Sequence, residues 1–302
     1  MTRLQRRLLR WYRNSGRAEL PWRTTRDPYF TLVSECMLQQ TQVDRVVPAF
    51  VAFIERFPTL AALASASTAD VLRMWRGLGY NSRAVRLHAV AQAVARDYLG
   101  EMPSDPNALR ALPGIGPYTA AAIRAFAFDI DDAPVDTNIK RIVHRLFYGI
   151  EYPIRAREPQ LAAHAQALVP PGQAHDWNSA MMDLGATLCG ARAPKCEACP
   201  IAADCAAAPI DAAALESARR AHAKPRAGST ERFEESARFA RGRIVDRLRD
   251  LPPGKKISML DLARDVAGLL PRRSDDEIAA LVSALHREGL VSLDQAGVGL
   301  RE

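Results

Sequence analysis

Four cysteines in one short segment restrict this chain more than any other feature. They are Cys189, Cys196, Cys199 and Cys205, and Pro200 directly follows the third. Four thiolates brought together in one loop can close around a single metal centre. Disulfides are disfavoured, because the cysteine count of five is odd and we expect a reducing, intracellular compartment.

Zinc and iron–sulfur centres compete for these cysteines. Zinc sites of four cysteines usually pair two short knuckles. Here only Cys196 and Cys199 form a short pair, and the gaps before and after it are longer, which suits a cubane cluster better. The spacing therefore favours a [4Fe–4S] cluster over zinc. The remaining thiol, Cys36, lies in an apolar segment and is predicted to be an inert core residue.

The positive charge of the chain is concentrated at its beginning. The whole chain of 302 residues has a net charge of +7, and residues 1–26 hold eight arginines against one acid, Glu19. Apolar residues among them, such as Leu8 and Trp11, predict an amphipathic helix whose basic face binds a polyanion, usually nucleic acid. We find no apolar run that could span a membrane and no export signal. We therefore expect a cytoplasmic protein. We also expect it to be a monomer.

Apolar periodicity and abundant alanine predict a mainly α-helical fold. Short helices joined by tight turns are expected, including a buried helix over residues 31–42 and another over residues 178–188. Residues 206–234 lack strong periodicity and are interpreted as a linker. The tail, residues 235–302, has the order helix, helix, helix, hairpin. That order is typical of a winged helix and fits a small packing module equally well.

A glycine hairpin joins two predicted helices near residues 112–120. Gly114 and Gly116 permit positive φ and let a ligand approach the backbone closely, and Pro117 suits the first turn of a helix. The free amides at this helix start form an anion site, for which a DNA phosphate is the obvious ligand. Such a turn alone is weak evidence. Asp136, however, stands about twenty residues later at another predicted helix start.

The hairpin, Asp136 and the four cysteines together resemble the helix-hairpin-helix DNA glycosylase superfamily, in its iron–sulfur branch, and within it the MutY adenine glycosylases. The resemblance covers roughly residues 8–205. It is carried by the hairpin and by Pro21-Trp22-Arg23, residues 34–43, Gly77-Leu78-Gly79-Tyr80, Val135–Arg141 and Asn178–Gly185.

The resemblance implies a two-lobed fold with a [4Fe–4S] cluster as cofactor and a bacterial-type, nucleoid-associated location. Residues 1–26 and 129–205 would form the iron–sulfur lobe, and residues 27–128 a helical barrel lobe with the helix-hairpin-helix. The linker over residues 206–234 would lead to the winged-helix-like module at residues 235–302.

The resemblance also implies catalytic roles. Breaking an N-glycosidic bond needs an acid at the leaving base and negative charge beside the developing sugar cation. Glu35 matches the acid that protonates N7 of adenine, and burial on an apolar helix is expected to raise its pKa. Asp136 matches the ionised stabiliser of the sugar cation. The structural alternatives are a helix acid paired with an arginine for Glu35 and an N-cap for Asp136.

Tyr118 occupies the hairpin place where lyase-competent relatives carry a lysine. Without an amine no Schiff base can form with the sugar, so the resemblance implies a monofunctional glycosylase.

Further residues are assigned to DNA by the same matching. The pocket for the flipped base would be lined by Trp22, Arg23, Leu38 and Asn138, although Trp22 and Leu38 fit plain core equally well. Gln40 would enter the base stack as a wedge. The remaining DNA contacts would be made by Tyr80, Asn81, Gly114, Gly116, Arg192 and Lys195.

Three departures bear on the substrate. Relatives commonly carry a second tyrosine where this chain has Asn81, and often Glu or Gln where it has Ser179. The tail is expected to be too short for the Nudix-like domain that reads 8-oxoguanine. Winged-helix contacts to duplex DNA through Arg272, Arg273 and His286 are a further expectation.

Three functions follow from these observations. The first is a glycosylase that acts on double-stranded DNA and removes adenine opposite 8-oxoguanine or guanine. The second is a thymine or uracil glycosylase acting opposite guanine, because such relatives share the tyrosine, the aspartate and the cluster. The third is a non-catalytic DNA-structure binder or redox-sensing module, against which the presence of both carboxylates argues.

Overall fold

The fold is mainly helical in a computed structural model, which describes residues 1–223 and 232–302. The helices are α1 (Arg3–Ser15), α2 (Pro28–Leu38), α3 (Val43–Arg56), α4 (Leu60–Ala64), α5 (Thr68–Met74), α6 (Ser82–Asp97), α7 (Pro106–Ala111), α8 (Pro117–Phe126), α9 (Thr137–Tyr148), α10 (Glu158–Leu168), α11 (Ala174–Asp183), α12 (Ala212–Ala221), α13 (Ala237–Arg249), α14 (Met259–Ala267) and α15 (Asp275–Arg287). Strands β1 (Val291–Asp294) and β2 (Gly297–Leu300) pair antiparallel. The predicted mainly α fold is confirmed.

Two predicted helix boundaries are wrong. The helix predicted over residues 31–42 is α2, which ends at Leu38, because Gln40 adopts φ +56° in the left-handed region and cannot continue a right-handed helix. The helix predicted over residues 178–188 starts earlier as α11. It then widens into a π-helical turn at Leu184–Leu188.

The linker predicted over residues 206–234 is also partly wrong. It contains α12, whose N-cap Asp211 accepts a hydrogen bond from the backbone N–H of Ala214 at 2.7 Å. A 3-10 turn, Phe233–Glu235, lies at the C-terminal end of the predicted linker. The part of this prediction that falls on residues 224–231 lies outside the described residues.

The chain divides into two compact units. The first comprises Met1–Leu32, Pro103–Ala111 and Ile115–Arg226, and the second comprises Val33–Met102, Leu112–Gly114 and Ala227–Glu302. This division groups several segments differently from the predicted domains. The hairpin helices α7 and α8 group with the cysteine loop, and the tail groups with residues 33–102.

The first unit has a core built on α1, α9 and α11. Thr2 and Gln5 form a capping box at the start of α1. The apolar side of α1 buries Leu8 and Leu9, which pack in one hydrophobic cluster with Val143 and Trp177. Each fully buried leucine stabilises the fold by about 1.5–3 kcal/mol. The amphipathic pattern of the arginine-rich segment therefore corresponds to a helix whose apolar side packs into the core of the first unit.

The second unit buries Phe53, Trp75 and Leu87 in its core. Phe53 and Trp75 make an edge-to-face contact with ring centroids 6.1 Å apart. In the tail, α13, α14 and α15 precede the β1–β2 hairpin, and Ile257 forms an additional antiparallel bridge to Val298. The predicted winged-helix element order is therefore present.

Candidate active site

Asp136 stands at the N-terminus of α9 in the first unit. Its Oδ1 accepts a hydrogen bond from the Ile139 backbone N–H at 2.7 Å, and its Oδ2 accepts one from Asn138 Nδ2 at 2.9 Å. The N-cap interpretation is thereby confirmed. Two donors and the positive end of the helix dipole fix this half-buried carboxylate in one orientation.

Arg141 connects Asn138 to the segment that leads into the cysteine loop. Its Nη2 donates to Asn138 Oδ1 and to the Gly185 carbonyl, both at 2.9 Å, and its Nε donates to the Cys189 carbonyl at 2.9 Å. A Cβ on Gly185 would lie 2.8 Å from Asn138 Cβ, so only glycine fits there. Sequence reasoning gave Arg141 no role. The sequence feature that could have identified Arg141 is its position three residues after Asn138, which places both side chains on the same helix face.

Glu35 and Leu38 are half-buried on α2. Within the second unit, Arg83 holds the end of α2 and the residue that follows it in place. Arg83 is only 5% exposed. Its Nη1 donates to the carbonyls of Cys36, Met37 and Gln39 at 2.7, 2.9 and 2.8 Å. These bonds satisfy the carbonyls that α2 leaves open at its C-terminus. The sequence analysis missed Arg83.

The same guanidinium reaches a second loop, which contains Tyr80. Arg83 Nη2 donates to the carbonyls of Leu78 and Gly79 at 3.0 and 3.1 Å. In this loop Gly77, Gly79 and Tyr80 all have positive φ, with Tyr80 at +45°. A tyrosine in that region stores backbone strain, which is often found at functional positions.

Cys36 is buried, and burial raises the pKa of its thiol to about 12. The predicted core position of this thiol is confirmed.

The hairpin needs only one of its two glycines for a left-handed conformation. Gly114 has φ +75°, whereas Gly116 is extended and caps α8 without a side-chain hydrogen bond. Gly116 therefore does not use the positive φ that glycine permits. Pro117 occupies the first turn as predicted, and Tyr118 follows it, half-buried. Since no side chain caps α8, its first amides can meet an anion.

Arg23 is committed to an ion pair within the first unit. Its Nη1 donates to Asp183 Oδ2 at 2.9 Å, and Arg17 binds the same carboxylate through its backbone N–H and its guanidinium. Burial opposes ionisation of Asp183, but the hydrogen bonds and charges of Arg23 and Arg17 outweigh it and lower the pKa of Asp183. Trp22 is 9% exposed. The ion pair of Arg23 and the burial of Trp22 give both predicted pocket residues a structural part.

The four cysteines of the loop line one small cavity together with Arg145. Arg145 is 1% exposed, pairs with Glu151 at 2.7 Å, and places Nη1 3.4 Å from Cys189 Sγ. Its carbonyl accepts a hydrogen bond from Cys205 Sγ at 3.3 Å.

Four thiols around one space match the thiolate ligand set of an iron–sulfur cluster. In the part of the chain that the structure describes, no three His, Cys, Asp or Glu side chains are placed to hold a single metal ion. The predicted loop residues Arg192 and Lys195 are exposed.

Comparisons with known proteins place this chain in a family. Residues 33–171 match the model described as "HhH-GPD superfamily base excision DNA repair protein". A protein of Mycolicibacterium smegmatis named "Adenine DNA glycosylase" is 42% identical over 246 residues, covering 80% of this chain and 79% of the relative. The chain belongs to the adenine DNA glycosylase family.

Another relative and a solved structure are also similar to this member of the adenine DNA glycosylase family. A Mycobacterium tuberculosis protein with the same name is 45% identical over 196 residues, and the match covers 64% of this chain and 64% of the relative. A solved structure titled "Structure of a thermostable thymine-DNA glycosylase" matches with a TM-score of 0.61 at 33% identity, covering 67% of this chain and 93% of that chain. The resemblance on which the sequence analysis rested is confirmed.

The matched family segment contains Glu35, Tyr118 and Asp136 and ends before the cysteine loop. Glu35 belongs to the second unit and Asp136 to the first, so each carboxylate is positioned by its own unit. Among residues 1–223 and 232–302, no helix is long and apolar enough to cross a membrane.

Proposed function

We propose that this protein is a monofunctional DNA glycosylase of base excision repair that removes adenine mispaired with 8-oxoguanine or guanine. The observation that carries the proposal is the relative named "Adenine DNA glycosylase", which matches 80% of this chain at 42% identity. The anchored carboxylate of Asp136 supports it, because excision requires fixed negative charge near the sugar.

The proposed reaction is acid-assisted hydrolysis. Glu35 donates its proton to N7 of adenine, and the bond between N9 and C1′ breaks with its electron pair moving to the base. The negative charge of Asp136 stabilises the resulting oxocarbenium ion, and water adds to C1′ and releases a proton to solvent, which leaves an abasic site. The bonds from Asn138 and Ile139 hold Asp136 ready, so no reorganisation is needed when the cation forms.

Tyr118 supports a hydrolytic reaction without strand cleavage. A phenol cannot form the Schiff base through which lyase-competent glycosylases cut the strand. The expected product is therefore an intact strand with one abasic site.

We also propose that Cys189, Cys196, Cys199 and Cys205 hold a [4Fe–4S] cluster. Its chemistry would be structural, tying the ends of the loop together. Arg145 would place a buried positive charge beside the thiolates. The exposed Arg192 and Lys195 of this loop would contact DNA phosphates. The substrate would be double-stranded DNA carrying the mispair, bound by a monomer in the cytoplasm.

The proposal is tested by incubating purified protein with duplexes that contain each mispair in turn. We expect release of adenine opposite 8-oxoguanine and guanine and no loss of thymine opposite guanine. Glu35→Gln serves as the inactive control. The thymine-DNA glycosylase of similar fold supports the alternative function. Release of thymine or uracil opposite guanine, with adenine mispairs left intact, would establish that alternative.

A further inference from the structure

The first helix carries a basic face that the proposed reaction does not use. Its apolar side buries Leu8 and Leu9 in the core of the first unit. Four exposed arginines, separated by three, four and three residues, lie together on another side of α1: Arg3, Arg6, Arg10 and Arg13. These four residues are called the α1 arginine face below.

The charge of the α1 arginine face is not neutralised by nearby acids. Among residues 1–223 and 232–302, none of its four arginines forms an ion pair. Arg6 donates to a neutral group, the Met1 carbonyl, at 2.6 Å. Arg7, on a neighbouring side of the same helix, pairs with Asp204 at 3.3 Å. Folding thus engages some arginines of this segment and leaves the α1 arginine face available to an anionic ligand.

The tail residues expected to contact duplex DNA differ in this respect. Arg272 pairs with Glu235, and Arg273 pairs with Glu277. The Nδ1 atom of His286 lies 3.1 Å from a backbone carbonyl. The polar groups of these side chains are engaged within the tail, so the α1 arginine face is the better candidate for a basic surface that binds a polyanion.

Two surface cavities adjoin the α1 arginine face and share Arg13. The smaller, of about 220 Å³, is lined by Arg6, Arg10 and Arg13, and no acid belongs to its described lining. The larger, of about 410 Å³, lies between α1 and the loop after Trp22. There Arg13 and Arg26 stand with one acid, Asp176. The two cavities, called the α1 groove below, are therefore mainly cationic.

The larger cavity adds a hydroxyl group to these cations. Thr25 lines it, and Thr25 Oγ1 accepts a hydrogen bond from the Asp27 backbone N–H at 3.1 Å. This bond uses an acceptor site of the hydroxyl and leaves its proton available to a ligand. Guanidinium and hydroxyl donors side by side are the groups that bind the phosphate oxygens of DNA.

The length of the α1 arginine face suits a polymer better than a small anion. Arg3 and Arg13 are ten residues apart, which is about 15 Å along a helix axis. One strand of duplex DNA presents a phosphate about every 3.4 Å of its axis, so this length matches about four phosphates.

The α1 groove is separated from the helix start that is expected to bind the repaired duplex. Helices α1 and α8 both pack against α11 and not extensively against each other, so α11 lies between them. One helix is about 10 Å in diameter. A duplex that met both the first turn of α8 and the α1 groove would have to bend around α11, which DNA with a persistence length of about 50 nm resists.

We propose that the α1 groove binds the phosphate backbone of a second DNA duplex while the first duplex occupies the active site. The inference rests on the proposed function, which supplies the first duplex. Binding in the groove is independent of base sequence, because phosphates carry no sequence information. The protein can then pass between neighbouring DNA segments without first dissociating from DNA.

The test measures whether protein bound to one duplex captures another. An immobilised duplex with a tetrahydrofuran abasic-site analogue opposite 8-oxoguanine is loaded with protein, washed, and mixed with a labelled undamaged duplex. We expect the wild-type protein to retain the labelled duplex and to lose it as salt rises. Arg10→Gln/Arg13→Gln should weaken capture by at least about tenfold and reduce the slope of log affinity against log salt by about 1.8, which is about 0.9 for each lost phosphate contact.

Arg96→Gln/Arg264→Gln is the matched control. Both side chains are 69% exposed, and each pairs with an acid outside the α1 groove, Asp97 and Asp261. The control removes two positive charges, as the test variant does, so weaker long-range attraction would affect both proteins equally. The melting temperature and the affinity for the immobilised duplex should stay at wild-type values in both variants.

Four outcomes would overturn the inference. They are the absence of capture by the wild-type protein, an equal loss of capture in the two double variants, and undiminished capture by Arg10→Gln/Arg13→Gln. The fourth is a parallel loss of affinity for the immobilised duplex, which would make the α1 groove part of the footprint on the repaired DNA.

A competitor identifies the class of ligand. Unlabelled duplex should displace the labelled duplex, whereas polyglutamate at equal charge should not; equal displacement by polyglutamate would indicate a site for an acidic protein and would also contradict the proposal. Failure of the proposed function is distinguishable, since it would show as absence of adenine release by the wild-type protein in an assay without the second duplex.

Discussion

Asp183 offers a test of how the arginine-rich beginning of the chain is held. Its carboxylate is 1% exposed and accepts four hydrogen bonds, three from Arg17 and one from Arg23. The side chains of these two arginines are 30% and 10% exposed. The substitution Asp183→Asn keeps the shape of the side chain and removes its charge, which leaves Arg23 buried without a counter-charge.

The expected loss of stability can be worked from these contacts. Removing one partner of a buried ion pair costs about 3–5 kcal/mol. The lower end applies here, because the amide oxygen of asparagine still accepts hydrogen bonds and the partly exposed Arg17 regains water. A loss of about 3 kcal/mol lowers the melting temperature of a unit of this size by about 6–12 °C. Glu158→Gln is the control: it breaks the exposed pair with Lys140 and should cost less than about 1 kcal/mol.

The pH dependence gives the decisive measurement. Because the pKa of Asp183 is lowered in the folded protein, its contribution is fully present above the unfolded pKa of about 3.9. It is lost as pH falls through the lower folded pKa. Thermal unfolding followed by circular dichroism should therefore show a constant gap between wild type and Asp183→Asn from about pH 7 to 5, narrowing below about pH 4. A gap under about 1 kcal/mol at neutral pH would refute the reasoning.

Three further predictions concern catalysis and the loops. Glu35→Gln should slow adenine release by at least about a hundredfold while the affinity for duplex DNA persists, and unchanged single-turnover rates would remove Glu35 from the role of acid. Tyr118→Lys places an amine on the hairpin and should produce a protein–DNA adduct that borohydride traps; no trapped adduct would contradict the role given to this position. Arg83→Lys keeps the charge but cannot reach both loops, so it should destabilise the protein by about 2–4 kcal/mol, and an unchanged melting temperature would contradict this.

Several parts of the site followed from local sequence. Asp136 was recognisable as a helix start because an N-cap needs only an acceptor side chain and the amides that follow it. Pro117 and Gly114 were recognisable for similar reasons of backbone conformation. The element order of the tail was also readable, since periodicity changes at its hairpin.

Other parts could not be read locally. Arg83 and Arg141 look like ordinary helix arginines in sequence, and their importance comes from carbonyls 44 to 48 residues away in the chain. The left-handed conformation of Gln40 ended α2 earlier than expected, because the bonds from Arg83 stabilise a turn that glutamine alone does not favour.

The sequence by itself determined the family and predicted the roles of the two carboxylates and the four thiols, because these depend on residue type and spacing along one chain. Only the tertiary structure decided which partners the described arginines have. It placed Arg23 against the buried Asp183 and left Arg238 without an ion pair among the described residues, stacked on Tyr80. An arginine's partner is set by what folding brings within a few ångströms of its guanidinium, and residues distant in the chain supply that partner.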